Sequence, residues 1–205
     1  MSFDAADPIG SVFADVIGKP CWLAKRGYGS FLTFEFGEPH LHIREPRESD
    51  SESEALRRMH ARRQVQVRGD WHLWIYCCDW KISRGTERFA RHSSRDETIA
   101  AGIMELDGQI LTDVDVDPLT AATTFSFDLG GQLRTKRWKN KKTPYDQWML
   151  YAPDGNVLTW RDDAHYSWQP ADAAAETARW DRLPDLKAMS SAIRRTAVTP
   201  APRAG

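Results

Sequence analysis

Thr33-Phe34-Glu35-Phe36, with Trp71-His72-Leu73-Trp74 after it, and Thr124-Phe125-Ser126-Phe127, with Trp148-Met149-Leu150-Tyr151 after it, are the stretches that decide the fold class. In an extended chain, residues two apart share a face, so each Thr-Phe-x-Phe segment reads as a strand with one aromatic side. Each copy continues through a glycine-containing turn and a return strand to a strand opened by Trp. The same order twice predicts two antiparallel β-rich halves and admits an internal duplication, although the connection within the first copy is longer.

Working outward, Asp7-Pro8 caps and starts a short helix on which Ile9, Val12, Phe13 and Val16 recur at helical spacing, and Gly18 stops it. Strands are expected at 21–23 and 31–36 around the Gly27-Tyr28-Gly29 turn, with Leu41 and Ile43 on the return strand. Residues 47–63 are acidic first and basic second with almost nothing apolar to bury, which predicts a solvated loop with one helical turn near 55–60. A strand at 64–68 and the Gly69-Asp70 turn lead to the longest strand candidate, 71–82.

That candidate is apolar on both faces: Trp71, Leu73, Ile75 and Cys77 alternate with His72, Trp74, Tyr76, Cys78 and Trp80. A half-solvated antiparallel strand is polar on one face. Either 71–82 is covered on both sides, or its aromatic face lines a pocket or a partner site.

Ser94-Arg95-Asp96-Glu97 has the capping-box spacing and predicts a helix to about Leu106 that connects the halves. Strands follow at 110–116, 123–129, 133–138, 147–152, 156–160 and 166–168. Beyond Pro170 the Ala, Glu and Arg content predicts a helix at 171–181 and, after Pro184, another through Arg194. The expected organisation is an α+β fold, a sandwich or open roll: 1–93 as N-terminal helix plus first β half, 94–107 as connecting helix, 108–169 as second β half, 170–196 as C-terminal helices and 197–205 as a frayed tail. One compact domain overall is expected.

With 205 residues, 41% hydrophobic and 28% charged, the chain has the balance of an ordinary soluble domain. Its 28 Lys and Arg against 29 Asp and Glu give a net charge of -1, so nucleic acid is disfavoured unless a local patch exists. No run of eighteen apolar residues is present, and the segment MSFDAADPIG lacks a basic start and apolar core, so no membrane partner and a cytoplasmic location are expected. Three cysteines without CxxC spacing read as reduced thiols. Nine tryptophans are expensive to expose, so those outside the core should mark an interface.

Several groups could carry chemistry. His40 and His42 share a strand face and, with Glu38 or Glu45, could chelate zinc; an exposed polar strand face opposite Leu41 and Ile43 is the favoured reading. Asp113, Asp115 and Asp117 line one face of a strand, read as a solvated edge in preference to a cation site. The run Lys136-Arg137-Trp138-Lys139-Asn140-Lys141-Lys142 has the composition of a single-strand binder but is read as a soluble hairpin tip. Cys77 and Cys78 are read as small hydrophobes, and Asp162, Asp163 and His165 as turn residues with acid/base potential. GxSxG, HExxH, GxxxxGK and GxGxxG are absent from the sequence, and no motif identifies a family.

The reading is therefore a non-catalytic binding protein without cofactor. It would engage a protein partner or homodimer mate through His72, Trp74, Tyr76 and Trp80, or through Trp148, Tyr151 and Trp160. The alternative is a carrier whose aromatic-lined cavity between the halves takes a small apolar ligand. The third reading, a metal-dependent hydrolase, needs His40 and His42 to meet the Asp113 to Asp117 row.

Overall fold

The computed structural model describes residues 4, 6–138, 143–174 and 177–183. Asp7 accepts a hydrogen bond from the Gly10 N–H and starts α1 (Pro8–Phe13), as its Asp-Pro sequence dictates. The elements that follow are β1 (Trp22–Arg26), β2 (Leu32–Phe36), β3 (His40–Arg44), α2 (Glu54–His60), β4 (Gln64–Arg68), β5 (Trp71–Ile75), β6 (Asp79–Arg84), β7 (Glu87–Arg91) and α3 (Asp96–Met104). After them come β8 (Leu111–Val116), β9 (Thr123–Phe127), β10 (Gly131–Lys136), β11 (Asp146–Tyr151), β12 (Asn156–Arg161), β13 (His165–Pro170) and β14 (Asp181–Arg182).

All pairings are antiparallel, and neither large sheet closes on itself. One sheet has the order β1-β2-β5-β11-β12-β13-β14, the other β7-β6-β10-β9-β8, and β3 and β4 form a separate two-stranded ribbon. The β-rich character expected from the sequence is present. The two copies of the aromatic pattern, however, do not occupy equivalent places. β2 pairs directly with β5, whereas β9, the second Thr-Phe-x-Phe segment, lies between β10 and β8 in the other sheet, away from β11. Instead the two Trp-opened strands pair with each other, Leu73 opposite Leu150 and Trp74 opposite Met149. Each sheet draws strands from both sides of α3, and one hydrophobic cluster joins them.

The expected single strand over 71–82 is two strands. Through β5 the odd residues Trp71, Leu73 and Ile75 point into the core. Tyr76 and Cys77 continue to bond to the β11 side through the Gln147 and Asp146 carbonyls, and then the Cys78 N–H turns back onto the Tyr76 carbonyl at 3.0 Å. The chain crosses there to the five-stranded sheet, and from Cys78 the even residues, Trp80 and Ile82 included, face inward. A strand that changes sheets at a bend presents both parities to the same core, which accounts for apolarity on both faces of the sequence.

The interior is aromatic. Phe13 and Phe125 meet Trp148 edge-on at 5.7 and 5.8 Å, and Trp148 stacks on Trp160 at 6.3 Å. Buried indoles need acceptors: Trp148 donates to Thr123 Oγ1 (2.9 Å), Trp160 to the Ala121 carbonyl (3.0 Å) and Trp80 to the Ser30 carbonyl (2.7 Å). These three tryptophans therefore hold the two sheets together.

Two helix expectations change. Arg95, not Ser94, is the N-cap of α3 and gives no side-chain cap, because the Ser94 hydroxyl accepts from the Arg91 N–H and closes the β7 turn. The described part of the 171–181 segment holds no α-helix. Asp181 and Arg182 pair with Tyr166 and His165 as β14, so completing a sheet edge outweighs a modest helix propensity. The helix expected after Pro184 and the tail at 197–205 lie outside the described residues.

Candidate functional site

The outer face of the seven-stranded sheet is built from the residues that alternate with the core ones. Two rows cross it in register: Thr33, Trp74 and Met149 in one, Glu35, His72 and Tyr151 in the other. Beside the first row Phe31 and Tyr76 form a cluster with Trp74, with ring centroids 4.4 Å apart for Phe31 and Tyr76, 4.9 Å for Trp74 and Tyr76 and 6.1 Å for Phe31 and Trp74. All three are half-buried, as are Met149 and Tyr151. Burial pushes the Tyr76 hydroxyl up, with the neighbouring Cys77 and Asp146 adding to it, so the ring stays a neutral hydrogen-bonding group.

The second row is less open. Glu35 is 1% exposed and His72 7%, with His72 Nδ1 2.8 Å from Glu35 Oε1, while Glu35 Oε2 accepts from the Gly69 N–H at 3.1 Å. His72 thus belongs to a buried polar pair and cannot be presented to a partner. Tyr151 lies 5.7 Å from the His72 ring; burial raises its pKa, which Arg68 and Arg44 partly offset.

Gly69 and Gly37 sit where β2 leads to β3 and β4 leads to β5. A Cβ at Gly69 would come within 2.4 Å of the Phe36 carbonyl oxygen, and Gly37 has φ +81. Asp70 accepts from the Glu38 N–H and completes the bend. The ribbon beyond it carries His40, exposed, and His42, half-buried. Burial lowers the His42 pKa, and Arg68, Arg44, His40 and His72 lower it further. The opposite ribbon face is also open: Leu41 is 64% exposed and Ile43 52%. Among the described residues no group of three or more His, Cys, Asp or Glu side chains is gathered to hold a metal ion.

The remaining sequence candidates divide clearly. Trp80, Trp148 and Trp160 are at most 1% exposed and belong to the core, leaving Trp74, Tyr76 and Tyr151 as the accessible members of the expected aromatic face. Asp113 and Asp115 lie on β8, the edge of the five-stranded sheet, as expected of a solvated edge. Asp117 caps the following turn through the Leu119 N–H and the Thr120 hydroxyl. Cys21 and Cys78 are buried thiols, pushed up chiefly by desolvation. Lys139, Asn140, Lys141 and Lys142 lie outside the described residues.

Around β12, burial alone would raise the Asp163 carboxyl, but the two hydrogen bonds from Arg161 (3.0 and 2.6 Å), its charge and His165 outweigh it and hold the group low. Asp162 is buried, accepts from the Tyr145 N–H and lies 3.5 Å from Arg137. Arg161 also covers the Trp180 ring at 4.2 Å. Arg161 thus holds Asp163, and the Tyr145 N–H bonds to Asp162.

Three features escaped the sequence reading. Phe31 was assigned only to a strand, and Glu35, the partner of His72, sits 37 positions away with no local signal. A basic hollow on the outer face of the five-stranded sheet was missed as well, although outward alternation in β6 and β10 carries its signal. Compared with protein-family models, curated proteins and solved structures, the chain has no match in any of the three.

Proposed function

We propose that this is a cytoplasmic, non-catalytic binding protein that engages a protein surface, either a partner or a second copy of itself, through the outer face of the seven-stranded sheet. The observation that carries the reading is the Phe31, Trp74 and Tyr76 cluster, three rings packed together on the face away from the core and left half-open. Clustered aromatics flanked by polar groups are the usual anchors of interfaces, since each buries a large area at little conformational cost. Met149 and Tyr151 extend the face along the next strand. No described helix is long and apolar enough to cross a membrane.

The carrier alternative finds less support, because the space between the sheets is filled by Phe13, Phe125, Trp148 and Trp160. Photo-crosslinking tests the interface reading directly. A photoreactive amino acid at Met149 should yield an adduct with one discrete protein or with a second copy, and Trp74→Arg should abolish it. A strictly monomeric chain with no more adduct at Met149 than at Leu129, which is 67% exposed and far from the aromatic cluster in the strand order, would sink the proposal.

A further inference from the structure

The outer face of the five-stranded sheet is electrically polarised. One row crosses it in register as Arg91, Lys81, Arg134, Thr124 and Asp115, cationic on β7, β6 and β10 and acidic at the β8 edge. At the cationic end these three residues, with Arg88 and Lys136, line a hollow of about 400 Å³. Among the described residues Lys81, Arg88, Arg91 and Arg134 have no carboxylate within ion-pair distance. Only Lys136 does, 3.3 Å from Asp79, which also lies 2.6 Å from His92 Nδ1. A chain of net charge -1 has therefore gathered four uncompensated cations around one concavity, an arrangement whose mutual repulsion an anion would relieve.

We infer that this hollow binds a small molecule carrying two or more phosphate groups. Neighbouring strands are about 4.8 Å apart, so Arg91, Lys81 and Arg134 span roughly 10 Å, which suits adjacent phosphates of one molecule. Arginine forks supply paired donors to phosphate oxygens, and Lys81 supplies a central point charge. Asp79 repels phosphate from the end of the hollow that it occupies and offers an acceptor to a ligand hydroxyl there. The hollow lies within the size range of small-ligand pockets. A long nucleic-acid strand fits the face less well, because a backbone tracking across the sheet beyond Arg134 meets Asp115.

The test uses the full chain and inorganic tripolyphosphate, followed by calorimetry. Saturable one-to-one binding is expected, weakening about tenfold between 50 and 200 mM salt as exposed charges are screened. The double variant Lys81→Thr/Arg134→Thr, which keeps β propensity on exposed strand positions, should lose at least about tenfold in affinity while its circular dichroism and melting temperature hold. Arg62→Gln/Arg63→Gln, a basic pair next to the ribbon, should bind as the parent does. Absence of saturable binding, equal affinity in the Lys81/Arg134 variant or equal loss in the Arg62/Arg63 variant would each overturn the inference. So would a preference for single-stranded oligonucleotides that rises with their length.

Discussion

Replacing Glu35 by Ala tests whether the Glu35 and His72 pair is scaffold. The carboxylate serves two partners, His72 Nδ1 at 2.8 Å and the Gly69 N–H at 3.1 Å, and it is 1% exposed. Truncation leaves both partners buried without a bond, and each such group costs about 1–3 kcal/mol. The sum over the two partners is about 2–6 kcal/mol. Glu35→Gln is the informative companion, because its amide oxygen can still accept from Gly69 and its N–H can donate to a neutral imidazole. It should cost about 1–2 kcal/mol, the difference between charged and neutral hydrogen bonds. Urea unfolding followed by tryptophan fluorescence measures all variants, and the double variant Glu35→Ala/His72→Ala should fall short of the summed single losses by at least about 1 kcal/mol. A Glu35→Ala protein within about 1 kcal/mol of the parent, or strict additivity of the two single changes, would refute the pairing and return His72 to the exposed face.

Trp160→Ala should cost about 3–5 kcal/mol in the same assay, since it opens a core cavity and leaves the Ala121 carbonyl with Gln147 as its one remaining side-chain donor, whereas Trp74→Ala should cost under about 2 kcal/mol because Trp74 is half-open. Gly69→Ala forces a Cβ to 2.4 Å from the Phe36 carbonyl oxygen and should lower the urea midpoint by the equivalent of about 1–3 kcal/mol, while Gly155→Ala, with nothing nearby, should cost less than Gly69→Ala even though its φ is positive. The lowered pKa of Asp163 sets a sign: its contribution is fully present above the ordinary carboxylate range and is lost as pH falls through its folded value. Asp163→Asn should therefore lose less stability than the parent between pH 7 and roughly pH 3, read from urea midpoints at the two values.

Much of the strand content was legible because it rests on local alternation. Segments such as 123–127 and 131–136 carry a buried residue at every second position, so their faces follow from the period alone. The 71–82 segment shows the limit of that rule. Its two-faced apolarity was visible, but whether it signalled a covered strand, a partner face or a change of sheet depended on the Cys78 turn, and no local pattern encodes that turn. Ser94 shows the same limit on a smaller scale, since its hydroxyl could cap the helix or close the preceding turn, and packing chose the turn.

For the candidate faces, the sequence supplied the residue types and the tertiary structure sorted them. Trp74, Tyr76, Trp80, Trp148 and Trp160 are chemically alike in a list, yet a bend between Ile75 and Cys78 leaves the first two half-open and turns Trp80 inward, while Trp148 and Trp160 are buried on β11 and β12. Likewise, Lys81, Arg91 and Arg134 are scattered charges until strand register aligns them. By itself the sequence determined that the protein is β-rich, carries aromatic strands and lacks any local catalytic signature, because these depend on side-chain period and residue identity. Only the tertiary structure decided which aromatics face water, that the paired Trp strands form one sheet, and that cations gather on the other. Those outcomes depend on contacts between residues far apart in the chain, which only the sheet order brings together.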